Sequence, residues 1–263
     1  MTATMTQSAL TARGITVRFG GLVAVNGVDF DIPLGGIVSL IGPNGAGKTT
    51  FFNALTGLYR LAEGDVLLHD RDITGLAPHK IARLGMARTF QNIRLFGLMT
   101  AEENVKVAMH SHLRSGVAST ILRMPWQRKE ERLAHEGALD LLDFVGIGAV
   151  ANEYARNLSY GDQRRLEVAR ALAVRPTVLL LDEPTAGMNP RESAIFTDFV
   201  RRVRDEKKVS VLLIEHDMSV VMRASERITV LDRGEKIAEG TPEEIRSNER
   251  VIEAYLGKSG TEG

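Results

Sequence analysis

Between residues 10 and 35, apolar and polar positions alternate. Ile15, Val17 and Phe19 share one face of an extended chain, and Val23, Val25 and Val28 follow after Gly20-Gly21. A two-residue period broken by a glycine pair predicts an antiparallel hairpin. The uninterrupted run Ile37-Val38-Ser39-Leu40-Ile41 reads as a short buried strand, and Phe51-Phe52-Asn53-Ala54-Leu55 continues a helix beyond it. Short apolar strands and helical patterns are mixed over 36–93. From 96 to 150 the spacing becomes helical, β-branched runs vanish, and charges crowd at Arg128-Lys129-Glu130-Glu131-Arg132, so this stretch reads as a separate helical subdomain. From 160 to 232, helices alternate with strands at 177–182, 209–214 and 227–231, an order that predicts a mostly parallel sheet covered by helices. Thr241-Pro242-Glu243-Glu244 has the form of an N-cap, a proline at the first helical position and an acid at the third, so a terminal helix follows. Gly257 to Gly263 reads as a frayed tail, and no internal repeat is visible.

The link between the 37–41 strand and the next helix carries the most specific chemistry. Gly42-Pro43-Asn44-Gly45-Ala46-Gly47-Lys48-Thr49-Thr50 fits the phosphate loop G-x-x-x-x-G-K-[ST]. Its glycines let consecutive N–H groups turn towards the phosphates of a nucleotide. Lys48 would place its ammonium on the β- and γ-phosphates, Thr49 would offer a hydroxyl to Mg²⁺, and the following helix adds its positive N-terminal end. Four such positions match by accident in roughly one chain of this size in a hundred, and the strand–loop–helix context lowers those odds. The chain is expected to bind a nucleoside triphosphate.

A second strand, Val178-Leu179-Leu180-Leu181, ends in Asp182-Glu183. Beside a phosphate loop, Asp182 would hold Mg²⁺ through water and Glu183 would polarise the attacking water. Alone, the same run fits a buried strand with a solvated acidic end equally well. Leu158-Ser159-Tyr160-Gly161-Asp162-Gln163 precedes the helical run Arg164 to Ala173. Ser159 and the Gly161 amide stand where a helix N-terminus binds a phosphate, although Ser159 as an ordinary N-cap would look the same.

Composition narrows the field further. The 263 residues are 44% hydrophobic and 25% charged, an ordinary globular balance. Lys plus Arg equals Asp plus Glu at 33 each, which lends no support to a nucleic-acid partner. The absence of cysteine excludes disulfides, thiolate metal sites and a Cys nucleophile. No secretory h-region opens the chain, and the longest apolar runs, Val178 to Leu181 and Val211 to Ile214, are too short to cross a bilayer. Any membrane-spanning part is expected from other chains.

Taken together, the phosphate loop, the strand ending in Asp-Glu and the 158–163 segment resemble the ABC-type ATPase family, from about residue 9 to residue 256. Within that resemblance 42–50 is Walker A, 178–183 is Walker B and 158–163 is the signature motif. It implies an α/β fold: a P-loop ABC-type nucleotide-binding domain with a RecA-like core, an N-terminal antiparallel β subdomain and an inserted helical subdomain. The implied division is a single ATPase domain over 9–256, with 9–35 as the antiparallel part, 36–95 and 172–240 as the core, 96–171 as the helical subdomain, 241–256 as C-terminal helices and 257–263 as a tail.

The resemblance also assigns roles. Gln91 matches the glutamine that touches Mg²⁺ and water, His216 the switch histidine at the γ-phosphate, and Ala186 to Pro190 the loop that crosses to a partner's active site. Phe19 matches the aromatic that stacks on adenine, the favoured reading, although it shares a face with Ile15 and Val17 and could simply be core. The site so implied comprises Glu183, His216, Gln91 and Lys48 for catalysis. Gly42, Pro43, Asn44, Gly45, Ala46, Gly47, Lys48, Thr49, Thr50, Phe19, Ser159 and Gly161 would bind ATP, and Thr49, Gln91 and Asp182 would serve Mg²⁺. Three positions depart from the usual pattern: Tyr160 replaces a glycine, Asp162 a glutamine, and Asn189 an aspartate.

One subgroup is favoured. Leu158 to Arg165, Ala186-Gly187-Met188-Asn189-Pro190, Arg18-Phe19-Gly20-Gly21, Arg88-Thr89-Phe90-Gln91 and Ala254-Tyr255-Leu256-Gly257 are similar to the ATP-binding subunits of branched-chain amino-acid importers. In this family Walker A and the signature belong to opposite walls of a site, so two ATPase domains are expected to face each other, as a homodimer or with a related chain. Separate integral-membrane permease subunits, indirectly a substrate-binding protein, and a peripheral place on the cytoplasmic face of the inner membrane follow from the same resemblance. A lipid or lipopolysaccharide exporter ATPase and a non-transport ABC ATPase stand as alternatives. Segment 96–135 is expected to dock the permease. Its Trp126 beside Pro125 either faces that partner or packs the subdomain.

Overall fold

The computed structural model describes residues 7–91, 93–109 and 125–256. The chain divides into two compact units, one made of Met1–Met86 with Thr177–Gly263 and the other of Ala87–Pro176.

In the first unit, β1 (Ser8–Phe19) and β2 (Leu22–Pro33) form the expected hairpin about Gly20-Gly21. The antiparallel sheet is larger than the hairpin, because β4 (Glu63–Leu68) pairs with β1 and β5 (Arg71–Asp72) pairs with β4. Register shifts at Ile15/Val17 and Val17/Arg18 break the strict alternation of β1. Ile15 and Val17 are buried, whereas Phe19, of the same parity, is 47% exposed. A bulge re-aims the residues beyond it, so Phe19 is not core.

The second sheet of this unit has the order β10-β9-β3-β8-β7-β6. Strands β3 (Ile37–Ile41), β7 (Val178–Asp182), β8 (Ser210–Ile214) and β9 (Arg227–Asp232) run parallel, and β10 (Glu235–Gly240) closes one edge antiparallel to β9. At the other edge, β6 (Met86–Arg88) leads the chain into the second unit. Every residue of β3, β7 and β8 is buried, which is why these strands read as continuous apolar runs rather than as alternations. Helix α1 (Lys48–Leu55) presses Phe51, Phe52 and Leu55 into the core with Leu40, Leu180 and Leu212. Further along the chain, α2 is Pro78–Arg83.

The second unit holds α3 (Ala101–Met109), α4 (Pro125–Val145) and α5 (Tyr160–Ala173). Ala134, Ala138, Leu142 and Val145 recur at three- and four-residue steps along α4 and are buried, as are Val105 and Leu166 from its neighbours. Thr100 and Glu103 close a reciprocal cap at the start of α3. Asn104 is fully buried, and its amide spans the backbone of Phe96, Met99 and Thr100, which fixes the loop before the helix. Residues 110–124 of the segment expected to dock a partner, and the side chain of Trp126, lie outside the described residues, as does the tail 257–263.

Returning to the first unit, α6 (Pro190–Lys207) follows the 186–189 loop, α7 is Met218–Ala224, and the chain ends in α8 (Pro242–Arg246) and α9 (Glu249–Leu256). The predicted cap before α8 is present in full: Thr241 accepts from the Glu244 amide and Glu244 accepts from the Thr241 amide. Asn189 does the same work for α6 with Glu192. A carboxamide oxygen accepts there as an aspartate would, so the departure at Asn189 leaves the loop's exit from the sheet intact.

Candidate functional site

The loop leaving β3 is shaped by backbone that side chains would spoil. Gly42 has φ 151, and a Cβ placed on it would collide with the Leu231 carbonyl oxygen. Gly47 caps α1 at φ 95, where a Cβ would meet the Ala24 carbonyl oxygen at 2.7 Å. A neighbouring turn holds the loop in place, since the Gly234 amide donates to Ala46 and the Asn26 amide to Gly234. Lys48 folds back on the loop and donates from Nζ to the carbonyls of Gly42 at 2.6 Å and Pro43 at 3.1 Å. An ammonium held by carbonyls already sits at the mouth of the loop, ready to exchange them for stronger anionic acceptors.

An open cleft of about 470 Å³ lies over this loop. Asn44 to Thr50 line it, Leu22, Val23 and Ala24 of β2 form one side, and Glu183 and Arg233 complete it. Of the residues expected here, the structure brings Asn44, Gly45, Ala46, Gly47, Lys48, Thr49, Thr50 and Glu183 to one cleft. Phe19 does not line it; its ring stands edge-on to Tyr59 at 5.2 Å. Leu22, Val23 and Arg233 were missed by sequence reasoning. Two half-exposed apolar side chains directly after a glycine turn were the available signal for the first pair.

Two strand ends position the acid chemistry. Asp182, the last residue of β7, is buried, and Glu183 turns out of the strand at φ 46. A left-handed glutamate costs on the order of 1 kcal/mol, and the surroundings hold it there. The Glu183 amide donates to Ile214 at 2.9 Å. Just beyond, Thr185 donates from its amide at 2.9 Å and its hydroxyl at 2.6 Å to the Glu215 carboxylate, which is 1% exposed. Burial pushes the Glu215 carboxyl up, against the downward pull of Thr185. The next residue is His216, whose Nδ1 lies 3.9 Å from Glu183 Oε2. That gap is too long for a hydrogen bond. Glu215 therefore pins the turn after Glu183 to the strand end that carries His216. Sequence reasoning overlooked it because a carboxylate after an apolar strand looks the same whether solvated or buried. Asp217 then caps α7, and its bonds from Ser219 hold its carboxyl below the ordinary value.

Thr49 and Asp182 offer a hydroxyl and a carboxylate, hard oxygen donors of the kind Mg²⁺ accepts. Among the described residues there is no cluster of three or more His, Cys, Asp or Glu side chains able to cage a metal without help. A cation here would need oxygens from a bound phosphate and from water, as nucleotide-borne Mg²⁺ does. The donor set fits that ion.

Gln91, Ser159 and Gly161 lie in the second unit and are described within it. Ser159 caps α5, accepting from the Asp162 amide at 3.2 Å and donating to its carboxylate at 2.7 Å. Nothing stands within 4 Å of a Cβ built on Gly161, so the first turn of α5 is open above it.

Residues 25–186 match the profile of the ABC transporter family, and 235–261 match one described as a branched-chain amino acid ATP-binding cassette transporter. The chain belongs to the ABC transporter family. It is 49% identical, over 97% of its length and 100% of the other's, to BraF of Pseudomonas aeruginosa, a high-affinity branched-chain amino acid transport ATP-binding protein. The fold superposes with TM-score 0.83 on the ADP conformation of MJ1267, an ATP-binding cassette of an ABC transporter, at 30% identity over 95% of this chain and 99% of that one. A dimeric post-hydrolysis cassette bound to ADP and Pi, MJ0796, matches with TM-score 0.74 and 26% identity over 89% and 98% of the two chains. The second family profile covers β10 to α9 of this cassette. There Tyr255 and Val251 pack in a cluster with Ile41, the residue just before the phosphate loop.

Proposed function

We propose that this cassette is the ATP-hydrolysing motor subunit of an importer for branched-chain amino acids, working through separate permease subunits. The observation that carries the reading is the cleft in which the phosphate loop and the out-turned Glu183 face one space. Near-full-length similarity to BraF supports the solute class.

In this reading the amides of 42–50 bind the phosphates, and Lys48 trades the Gly42 and Pro43 carbonyls for β- and γ-phosphate oxygens. Thr49 and Asp182 would hold Mg²⁺, which would neutralise phosphate charge, and the family resemblance alone assigns Gln91 to the same ion. Glu183 draws the proton from a water aimed at the γ-phosphorus, and His216 contacts the γ-phosphate. Phe19, exposed and paired with the cleft-lining Leu22, would turn its ring away from Tyr59 to stack on adenine. Ser159 and Gly161 of a second cassette, the same chain or a related one, bind the γ-phosphate from the opposite wall, so ATP draws two cassettes together and hydrolysis releases them. The dimer of MJ0796 with ADP and Pi supports this arrangement.

Among the described residues no helix is long and apolar enough to cross a membrane. We place the subunit peripherally, on the cytoplasmic face of the inner membrane against its permeases. Mild-detergent purification of the tagged protein from native membranes, with mass spectrometry of stoichiometric partners, tests this. Two multispanning chains and a second ATPase are expected, with a substrate-binding protein associated more weakly. An exporter permease would reverse the direction, and soluble partners alone would refute the transport role.

A further inference from the structure

Tyr160 stands where the family usually has glycine, and the second unit shows what its hydroxyl does. It accepts from Arg164 Nε at 3.2 Å and from Nη2 at 2.9 Å. The same guanidinium donates from Nη1 to the Phe90 carbonyl at 3.0 Å and to Glu167 Oε2 at 3.1 Å, and from Nη2 to the Gln91 carbonyl at 2.7 Å. These five bonds use every N–H that a guanidinium has. Arg164 and Glu167 are 3% and 5% exposed.

The other oxygen of Glu167 accepts from the Arg94 amide at 3.3 Å, so the carboxylate grips the chain just beyond Gln91 while the guanidinium grips it at Gln91. Burial raises the Glu167 carboxyl, and the Arg164 charge opposes that rise. Within the segment itself, Arg88 and Arg94 lie over the Phe90 ring at 4.8 and 4.5 Å. Arg170, one turn further along α5, donates to the Arg94 carbonyl. Thus Phe90, Gln91 and Arg94, which follow β6, are bound to α5 by side chains of that helix.

We propose that Arg164, Tyr160 and Glu167 are positioning residues that lock the Gln91 segment to the signature helix, so that the two move as one piece when the nucleotide site opens and closes. This rests on the reading of Gln91 and Ser159 as parts of the nucleotide site. It gives Tyr160 a specific task. The hydroxyl fixes the plane of the guanidinium, and the plane decides whether one side chain can reach two successive carbonyls and a carboxylate together.

The test is hydrogen exchange with mass spectrometry on the full chain, alongside steady-state ATP hydrolysis, for Arg164→Lys and Tyr160→Phe. A lysine has one ammonium and cannot span the three acceptors, and phenylalanine removes only the hydroxyl from a residue already 44% exposed. Arg164→Lys should speed exchange across 89–96 by about tenfold, and Tyr160→Phe by about threefold, the loss of one to two charge-assisted bonds. Segment 37–55 should keep its wild-type exchange. Turnover at saturating ATP should fall by similar factors, with the KM for ATP changed less than about twofold. Unchanged exchange over 89–96 in both variants would overturn the lock, as would a rise in KM with turnover intact. If Arg164→Lys unfolds, Tyr160→Phe alone decides. The parent reading is tested separately by Glu183→Gln, whose failure to slow hydrolysis would remove the site assignment without touching the exchange result.

Discussion

The phosphate loop and the Gln91 segment are held by different means. Residues 42–50 are contiguous, shaped by glycine backbone, and steadied by amide–carbonyl bonds from the turn at Gly234. Phe90, Gln91 and Arg94 are steadied by Arg164, Glu167 and Arg170, which lie some seventy positions later in the chain. Backbone cradles tolerate almost no added atom but are indifferent to charge. A side-chain lock tolerates local change but fails when one ion of a buried pair is lost. The difference predicts which substitutions each region cannot survive.

The largest effect should come from Gly42→Ala. Its Cβ meets the Leu231 carbonyl, and its φ lies where only glycine is at ease, so the fold should lose about 4 kcal/mol and ATP binding with it. Urea unfolding checks the first and a fluorescent-nucleotide titration the second; a stable, binding-competent variant would mean that the loop is not packed as described. In the other region Glu167→Gln leaves the Arg164 guanidinium buried without its counter-ion and should cost about 3 kcal/mol. Denaturation within 1 kcal/mol of wild type would show that the two carbonyls and the Tyr160 hydroxyl suffice to hold that charge.

Asn189→Ala removes the cap of α6 and should cost about 1 kcal/mol, while Asn189→Asp should restore nearly all of it. An equal loss in both variants would assign the cost to something other than the cap.

Glu215 sharpens the comparison by sign. Like Glu167 its carboxyl is raised by burial, but the Thr185 amide and hydroxyl and the neighbouring His216 oppose that rise instead of a buried guanidinium. A carboxyl raised in the folded state binds protons better there than in the unfolded chain. Its contribution is therefore greatest below the ordinary glutamate value of 4.5 and is lost as pH rises through the folded value. Glu215→Gln should accordingly gain stability relative to wild type as pH rises above 4.5, measured by denaturation across pH. A difference that does not vary with pH would show that Glu215 titrates normally.

What could be read from the sequence follows the same division. The strands, the hairpin about Gly20-Gly21, the phosphate loop and the cap at Thr241 each depend on residues close together in the chain, and local spacing reveals them. The addition of β4 and β5 to the N-terminal sheet depends on pairing across some fifty residues, and no local pattern records it. Phe19 was ambiguous because a bulge, invisible in an alternation, re-aims it. Glu215, Arg233 and the Arg164–Glu167 pair went unseen because their partners are distant and their types are ordinary on a surface. Tyr160 stood out as a departure from the family's glycine, but its purpose becomes visible only with the guanidinium it orients.

The central claim is that the cleft over the phosphate loop hydrolyses ATP with Glu183 as base. It is tested most directly by comparing ATP turnover and dimer formation in wild type and Glu183→Gln. The account predicts at least about a hundredfold slower hydrolysis in the variant, with ATP still bound and the two cassettes held together on gel filtration. Hydrolysis at the wild-type rate, with no ATP-held dimer, would contradict it.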